Sequence, residues 1–402
     1  MKIGIIGAGA AGCFCALNLK RSCPKVEVMV LEAARKPLAK VSITGGGRCN
    51  LTNSFREVRS LSQVYPRGEK VMKRILKQFS VEDTVNWWEA EGIRLVTQED
   101  QCIFPQSQDA NEIVNTLLAG MQQAGVKLWT CSRVIRIEEG YRVSFGSQTM
   151  NFDAVVVTTG GSPSMRGLEF LAPLDLPVVD PVPSLFTLNI CDTALHELMG
   201  TVVEDCVVGI PGTKFRSNGP LLITHWGMSG PAILKLTSHA ARYLAECKYQ
   251  TSISINWMQG KNEEKVRHIL QKYQQSNKQS GNLYPTHLTA RNWSYLLERC
   301  GISPLQRWNA LSGKDINRLA ARLTSDIHPV AGKSRYREEF VTCGGVALSA
   351  IHPNTLESRQ HPGLYLAGEV LDVDAVTGGF NLQAAWSMGY CVAESLKKSM
   401  RP

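Results

Sequence analysis

The feature that most constrains this sequence is a glycine-rich turn at its start. A short apolar run, Lys2–Ile6, is followed by Gly7, Gly9 and Gly12 in the spacing G-x-G-x-x-G. In a β-α-β unit the first glycine permits the tight turn and the second lets the backbone approach a pyrophosphate. The third lets helix and strand pack closely. The pattern predicts a strand, turn and helix that bind a dinucleotide.

An acidic residue follows at the expected distance. A second apolar run, VEVMVLE, ends at Glu32, twenty residues after Gly12. Its carboxylate can accept hydrogen bonds from ribose hydroxyls, and it would repel a 2′-phosphate. NADP is therefore not expected at this turn, whereas FAD and NAD both fit it.

The C-terminal part favours FAD over NAD. GLYLAGE is an apolar strand that ends in Gly368 and Glu369, and TGGFNLQAAW begins a helix near Gly379. In flavoproteins of this build such an acid bonds the ribityl chain, and a helix N-terminus stabilises negative charge on the reduced flavin. A third strand-to-glycine turn, VVVTTGG, lies at 155–161. Three such turns in this order predict an FAD site.

The order of elements predicts an α/β protein whose FAD-binding domain is built from both chain ends. Helices are expected at 68–79, 81–91 and 109–124. Short strands, which predict an antiparallel meander attached to a parallel sheet, are expected at 127–131, 133–138, 141–145 and 154–158. The predicted domains are an FAD-binding domain at 1–184 and 340–402, a β domain at 185–258 and 326–339, and a basic helical insert at 259–325.

Composition fits a globular protein and excludes several classes. Hydrophobic residues make up 44% of the 402 residues, and no apolar run approaches the roughly 20 residues that cross a bilayer. The twelve cysteines are scattered without a C-x-x-C pair, so neither a disulfide framework nor a metal site is predicted. We expect a cytoplasmic protein with reduced thiols and no membrane partner.

The net charge of +9 is concentrated in one segment. Residues 256–337 hold fourteen Lys/Arg and five Asp/Glu, so the rest of the chain is neutral overall. Such a segment forms a solvated helical surface, a nucleic-acid patch or a site for anionic substrates. The segment has no RNA-binding motif and few aromatic residues interleaved with the basic ones, which favours the solvated surface. The arginines whose neutralisation would test RNA binding are Arg318, Arg322, Arg335 and Arg337.

Four segments resemble signatures of the BaiN-like (YhiN-like) family of bacterial FAD-dependent oxidoreductases. They are TGGGRCNLTN at 44–53, LLITHWGMSGPAIL at 221–234, FVTCGGVAL at 340–348 and PGLYLAGEVLDVDAVTGGFNLQAAWSMG at 362–389. The resemblance covers nearly the whole chain. It implies tightly bound FAD, a Rossmann-like domain built from both chain ends, an inserted β-barrel-like domain and a helical subdomain. It supplies no substrate.

One stretch departs from the family pattern. Such proteins carry a Gly-Ser-Thr-Gly-Asp-Gly type of stretch after VVVTTGG, whereas this chain reads SPSMRGLEFLAPLDL. The departure puts flavin or substrate contacts near residues 162–170 in doubt.

The glycine-rich loop at 44–50 supplies further candidates. Arg48 can pair with a phosphate and Asn50 can bond the flavin or ribityl chain, although Arg48 can also simply hold a capped loop. Cys49 has no cysteine partner nearby, so a disulfide-reductase role is not expected. The predicted cofactor contacts are Gly7, Gly9, Ala10, Ala11, Gly12, Glu32, Lys40, Gly46, Arg48, Cys49, Asn50, Val134, Thr159, Gly160, Gly161, Gly368, Glu369, Gly379, Phe380, Asn381 and Leu382.

His225 and Cys343 are the candidate catalytic residues. His225 lies between an apolar strand and a glycine turn, where it is either an acid or base near neutral pH or a packed residue bonded to backbone. Cys343 and Thr342 precede two glycines and are candidates for lining the site.

The predicted function is that of an FAD-dependent oxidoreductase exchanging hydride with an unidentified small molecule. The alternatives are a flavoprotein acting on RNA and a non-catalytic flavin-binding protein. No second complete G-x-G-x-x-G is present. If NAD(P)H is the electron donor it therefore binds transiently, and oxygen is an alternative acceptor. The sequence does not predict an oligomeric state.

The first prediction concerns the cofactor itself. Purified protein is expected to be yellow and to release FAD on denaturation, because the glycine turn binds a pyrophosphate that FMN lacks. Chromatography of the released cofactor identifies it. Recovery of FMN alone, or of no flavin after reconstitution, would contradict the prediction.

Overall fold

The structure is a computed structural model that describes residues 1–333 and 341–400. Its strands are β1 (Lys2–Ile6), β2 (Glu27–Leu31), β3 (Thr52–Asn53), β4 (Leu95–Thr97), β5 (Cys102–Pro105), β6 (Lys127–Trp129), β7 (Val134–Glu138), β8 (Arg142–Phe145), β9 (Gln148–Asn151), β10 (Ala154–Val157), β11 (Val178–Ser184), β12 (Leu188–Ile190), β13 (Val202–Gly209), β14 (Arg216–Thr224), β15 (Gly227–Ser229), β16 (Thr251–Asn256), β17 (Asp326–Lys333), β18 (Val341–Val346) and β19 (Leu364–Leu366).

The helices follow in chain order. They are α1 (Ala10–Ser22), α2 (Thr44–Gly47), α3 (Glu69–Ile75), α4 (Val81–Ala90), α5 (Ala110–Ala124), α6 (Thr193–His196), α7 (Pro231–His239), α8 (Ala241–Glu246), α9 (Glu263–Gln274), α10 (Ala290–Arg299), α11 (Gly313–Thr324) and α12 (Phe380–Ser399). The chain divides into two compact units, residues 1–182 with 341–402 and residues 183–340. The finer boundaries expected at 258/259 and 325/326 stay a prediction.

A five-stranded parallel sheet forms the centre of the first unit. Its order is β19-β10-β1-β2-β6, so a strand from the C-terminal part lies in the same sheet as the N-terminal strands. The four residues of β10 are all buried, as expected for a parallel sheet covered on both faces. This arrangement confirms the predicted Rossmann-like domain built from both chain ends.

The predicted meander is only partly right. β7, β8 and β9 form a three-stranded antiparallel sheet, and β9 was not predicted. Strands β6 and β10, which were assigned to the meander, instead pair in parallel with β2 and β1. The error has a physical reason. A short apolar strand has the same residue pattern whether it pairs in parallel or antiparallel, so the pattern does not identify its partner.

The second unit contains a closed antiparallel barrel. Its strand order is β12-β15-β14-β13-β16-β17, and burial alternates along β17 as expected when one face points inwards. Helices α9, α10 and α11 connect β16 to β17 and bury apolar faces in the same core. The predicted inserted barrel and helical part are thus confirmed as fold features.

A buried polar cluster in this unit uses part of the basic charge. Asp326 is fully buried and accepts hydrogen bonds from His328 Nε2 at 2.9 Å and Arg322 Nη1 at 3.0 Å. Arg299 Nη2 lies 3.2 Å from the same carboxylate, and its Nη1 donates to Asp192. Burial alone would raise the pKa of Asp326, but these bonds and charges hold it below its usual value. Two arginines of the basic segment therefore have structural partners.

No helix among the described residues is long and apolar enough to cross a membrane.

The packing of α12 on α1 yields a stability prediction. A Cβ at Gly389 would lie 2.6 Å from the carbonyl oxygen of Ala11, so Gly389→Ala forces the helices apart. Such overpacking costs about 1–3 kcal/mol, and each kcal/mol lowers Tm by about 2–4 °C in a unit of this size. Thermal unfolding measures the loss. The control is Gly313→Ala in α11, where nothing lies within 4 Å, and a Tm equal to that control would refute the packing argument.

Candidate cofactor-binding site

The glycine turn between β1 and α1 has the geometry that its spacing predicts. Gly7 has a φ of 103°, and a Cβ there would lie 2.5 Å from the Thr158 carbonyl oxygen. At Gly12 a Cβ would lie 2.0 Å from the Gly7 carbonyl oxygen, so only glycine lets helix and strand approach this closely. At Gly9 nothing lies within 4 Å. The open side of the turn is therefore at the position expected for the pyrophosphate.

No side chain caps the N-terminus of α1. The first backbone N–H groups of a helix have no partner within the helix, and they attract anions together with the helix dipole. Phosphate oxygens placed at Gly9 would accept these hydrogen bonds, as in other dinucleotide-binding turns. The site thus fits the pyrophosphate of FAD on its own geometry.

Glu32 is held beside this turn by backbone hydrogen bonds. Its Oε2 accepts from Ala8 N–H and its Oε1 from Ala34 N–H, both at 2.7 Å. The side chain is half-buried, and each carboxylate oxygen has a further lone pair. The acid is therefore oriented before any ligand binds and can still accept hydrogen bonds from ribose hydroxyls.

The third glycine turn meets Glu369 from the other end of the chain. A Cβ at Gly161 would lie 2.5 Å from Glu369 Oε1, and this oxygen also accepts from Thr342 N–H at 2.6 Å. Lys40 Nζ lies 3.8 Å from Oε2. Burial raises the pKa of Glu369, and the Lys40 charge opposes that rise. The ends of β10 and β19 thus converge where ligands bind in open α/β sheets.

The glycine-rich loop at 44–50 lies against the start of α12. The Arg48 guanidinium stacks 4.5 Å over the Phe104 ring, which is the holding role that the sequence left open. With its amide oriented to satisfy both neighbours, Asn50 accepts from Gly379 N–H at 3.2 Å and donates to the Thr52 carbonyl at 3.1 Å. Asn50 therefore links the loop to the helix whose N-terminus is expected to face the flavin.

Cys49 has no features of a redox-active thiol. It is fully buried, and burial raises its pKa to about 12. A neutral thiol is a poor nucleophile. All twelve cysteines lie within the described residues, and no disulfide joins any of them. The expectation that this protein is not a disulfide reductase agrees with these observations.

The start of α12 is braced by residues that the sequence did not nominate. Tyr65 is buried and its hydroxyl donates to the Phe380 carbonyl at 2.9 Å. Asn53 Nδ2 donates to the Gly378 carbonyl at 3.1 Å, and Arg67 pairs with Asp374. Asn381, a predicted contact, bonds both the N–H and the carbonyl of Ala375. A sequence such as YPRG at 65–68 is typical of a turn and does not by itself indicate these long-range contacts.

The remaining candidates are placed as follows. Cys343 is fully buried in β18, next to Thr342, which bonds Glu369. Val134 begins β7 and is half-buried. His225 lies in the other unit, exposed in the turn between β14 and β15, with its ring centroid 4.2 Å from that of Trp226. The roles of all these residues, and of the predicted cofactor contacts, stay predictions.

The stretch that departs from the family pattern packs into the core. A 3-10 helical segment, Met165–Leu174, buries Leu168, Phe170 and Leu171. Met165 at its start is 45% exposed. The departure thus replaces a polar glycine-rich stretch by one whose apolar side chains are largely buried.

Comparisons with known proteins give one family and several relatives. A sequence model of the HI0933-like protein Rossmann domain matches residues 1–395. The ribosomal RNA dihydrouridine synthases of Escherichia coli and Haemophilus influenzae are each 30% identical to this chain. The alignments span 98% of this chain, and 97% and 98% of those relatives. The 3-dehydro-bile acid delta(4,6)-reductase of Clostridium scindens is 27% identical, over 97% of each chain.

A solved structure supports the fold. The 3-ketosteroid delta1-dehydrogenase of Sterolibacterium denitrificans superposes with a TM-score of 0.50 at 12% identity, over 99% of each chain. At this identity the likeness concerns the fold alone.

The geometry of Glu32 yields a binding prediction. Glu32→Ala removes the acceptor for the ribose hydroxyls, and hydrogen bonds to a charged group contribute about 1.5–3 kcal/mol. We therefore expect FAD affinity to fall roughly tenfold to a hundredfold. Titration of the apoprotein, followed by flavin fluorescence, measures it. Glu27→Ala, at the start of the strand that Glu32 follows and paired with Lys127 at the surface, is the matched control. Equal FAD affinity in both folded variants would show that Glu32 does not bind the ribose.

Proposed function

The chain belongs to the HI0933-like family of Rossmann-domain proteins and is an FAD-dependent oxidoreductase, and we propose that it reduces a carbon–carbon double bond conjugated to a carbonyl group. The family assignment confirms the resemblance drawn from the four sequence segments. The proposed substrate is a small organic molecule.

The support for this bond class is what the names of the relatives have in common. A 3-dehydro delta(4,6) bile acid has double bonds conjugated to its 3-oxo group. Dihydrouridine is uridine whose 5,6 double bond, conjugated to the 4-oxo group, has been reduced. Conjugation to a carbonyl makes such a double bond electrophilic, so hydride can add to one of its carbons and a proton to the position that becomes enolate-like. One chemistry therefore covers substrates of very different size.

One observation carries the proposal: a single compact unit contains two helices, α1 and α12, and no side chain of the described residues caps either N-terminus. We expect both N-termini to face the same cofactor. Gly389 of α12 packs on Ala11 at the start of α1, nine residues after Phe380. At 1.5 Å per residue, the start of α12 lies about 13 Å along its axis from that contact. The first N-terminus suits a pyrophosphate, and the second suits the flavin pyrimidine.

FAD supplies the two-electron chemistry when it is bound. In this proposal Glu32 orients the adenosine ribose and Glu369 the ribityl chain. The N–H groups at the start of α12 stabilise negative charge on the reduced ring. His225 and Cys343 are kept as candidate proton donors. NADH or NADPH is proposed as a transient electron donor, and the cytoplasm, where thiols stay reduced, as the site of action.

The test is anaerobic reduction of the flavin by NADH or NADPH, followed by mixing with candidate acceptors. A 3-oxo-delta(4,6) steroid is expected to reoxidise the flavin and to be recovered with two added hydrogens. A 3-hydroxy-delta(5) steroid, whose double bond is not conjugated to a carbonyl, is the control and is expected to leave the flavin reduced. Reoxidation by oxygen alone would contradict the proposal.

A second candidate is the same reduction on uridine in RNA, favoured by the basic segment and two named relatives. On α9, Lys265 and Lys272 are exposed and seven residues apart, so they share one helix face. Other cations of the segment contribute less: Arg322 contacts buried Asp326, and Arg318 pairs with Asp315. Arg335 and Arg337 lie outside the described residues. We therefore rank RNA second.

RNA binding is tested by fluorescence anisotropy with ribosomal RNA fragments between about 50 and 200 mM salt. We expect no sub-micromolar binding at the upper salt, because Arg299, Arg318 and Arg322 of the segment already pair with acidic residues. Each phosphate contact would lower the logarithm of the RNA affinity by about 0.7–0.9 for each tenfold rise in salt concentration. The ranking would be reversed if the wild type binds RNA at the upper salt and the double variant Lys265→Gln/Lys272→Gln does not. The control variant Lys73→Gln/Lys77→Gln, on the other unit, would have to bind like the wild type.

A further inference from the structure

A buried ion pair joins the segment before α3 to the loop that precedes α12. Arg67 Nε donates to Asp374 Oδ1 at 2.5 Å, and Arg67 Nη2 donates to Oδ2 of the same carboxylate. The two side chains are 10% and 0% exposed. Bidentate pairing fixes both the distance and the orientation of the groups. Burying two charges is costly, so such a pair is weak evidence for stability and points to a positional role.

Residues 64–68, here called the strap, contact this loop at further points. Val64 accepts from Val376 N–H at 2.9 Å, and Tyr65 bonds the Phe380 carbonyl. A Cβ at Gly68 would lie 2.5 Å from a methyl group of Val373. The strap therefore contacts the first half of the loop between Val373 and Gly379, and it also contacts the first residue of α12.

What the strap holds is the N-terminus of α12. Asn50 accepts from the N–H of its cap residue, Gly379. No side chain of the described residues caps the N–H groups that follow, so these groups can bind a ligand. The partial positive charge of a helix N-terminus acts only within the first turn. A small shift of the loop therefore changes how strongly these N–H groups act on a neighbouring anion.

We propose that Arg67 and Asp374 are a positioning pair that sets the start of α12 against the flavin pyrimidine, and thereby increases the affinity of the site for reduced over oxidised flavin. The inference rests on the FAD site described under the proposed function. It does not depend on the acceptor, since the pair acts on the cofactor and not on the substrate.

The sign of the effect separates positioning from a direct charge effect. If the charges acted directly, Arg67→Gln would disfavour the anionic reduced flavin and Asp374→Asn would favour it. If the pair acts by position, both variants loosen the loop, and both shift the equilibrium between oxidised and reduced flavin in the same direction. We expect both variants to lower the ratio of the affinity for reduced flavin to the affinity for oxidised flavin by about three- to tenfold. A tenfold loss is a fall of about 30 mV in the two-electron midpoint potential.

The experiment is a spectroscopic redox titration of each FAD-loaded variant beside the wild type, with FAD content and Tm recorded. Falls in potential for both variants support the proposal. Opposite shifts, or unchanged potentials with FAD retained, overturn it. Because the titration needs no acceptor, its result is independent of whether conjugated double bonds are reduced.

A milder variant keeps the test decisive if loss of the buried pair prevents folding. Tyr65→Phe retains the ring and removes only the hydroxyl that holds Phe380. Its control is Tyr141→Phe, whose hydroxyl donates to the Pro362 carbonyl away from α12. A lower potential in Tyr65→Phe alone supports the positioning role of the strap, and equal potentials in the two variants overturn it.

Discussion

The close approach of α1 and α12 is the contact on which the FAD-binding unit depends. These helices come from opposite ends of the chain, and they pack at Gly389, where a Cβ would meet the Ala11 carbonyl oxygen. Gly12 allows the equally close approach of α1 to β1. Because this contact joins opposite ends of the chain, the cofactor site is complete only when both chain ends are in place.

A buried polar network fixes the position of α12 once that contact exists. Gln383 on its first turns bonds Thr52, Thr84 and Ser387, and all four side chains are fully buried. Trp386 adds a bond to the Leu51 carbonyl at 3.0 Å. Networks of this kind are costly unless every member is satisfied, and when satisfied they select one arrangement. Apolar packing alone would leave α12 free to slide, so the network and the strap together determine where its N-terminus points.

The sequence predicted local features well because each has a local physical cause. Gly7, Gly9 and Gly12 behave as their spacing predicts, since a tight turn and a close helix leave no other choice. The pairing of Arg67 with Asp374 could not be predicted in this way, because 307 residues separate them. The partners of β6 and β10 were misassigned for a related reason: apolar alternation identifies a strand but not its neighbour.

The net charge is a second property from which the sequence alone did not predict the contacts in the folded protein. The excess of basic residues at 256–337 looks in sequence like a surface for anions. In the folded unit Arg299 and Arg322 both contact buried Asp326 instead. A charge count therefore overstates the surface available to a polyanion wherever cations neutralise buried acids.

Substrate choice is a separate question from cofactor binding. Relatives named for a bile acid and for ribosomal RNA are nearly equally similar to this chain, at 27% and 30% identity over almost its full length. Overall identity thus cannot choose between them, and neither can the FAD cradle, since both names describe reduction of a double bond conjugated to a carbonyl. The discrimination must come from residues outside that cradle. Within the first unit, the stretch from Met165 departs from the family pattern, and it begins four residues after Gly161 with an exposed apolar side chain.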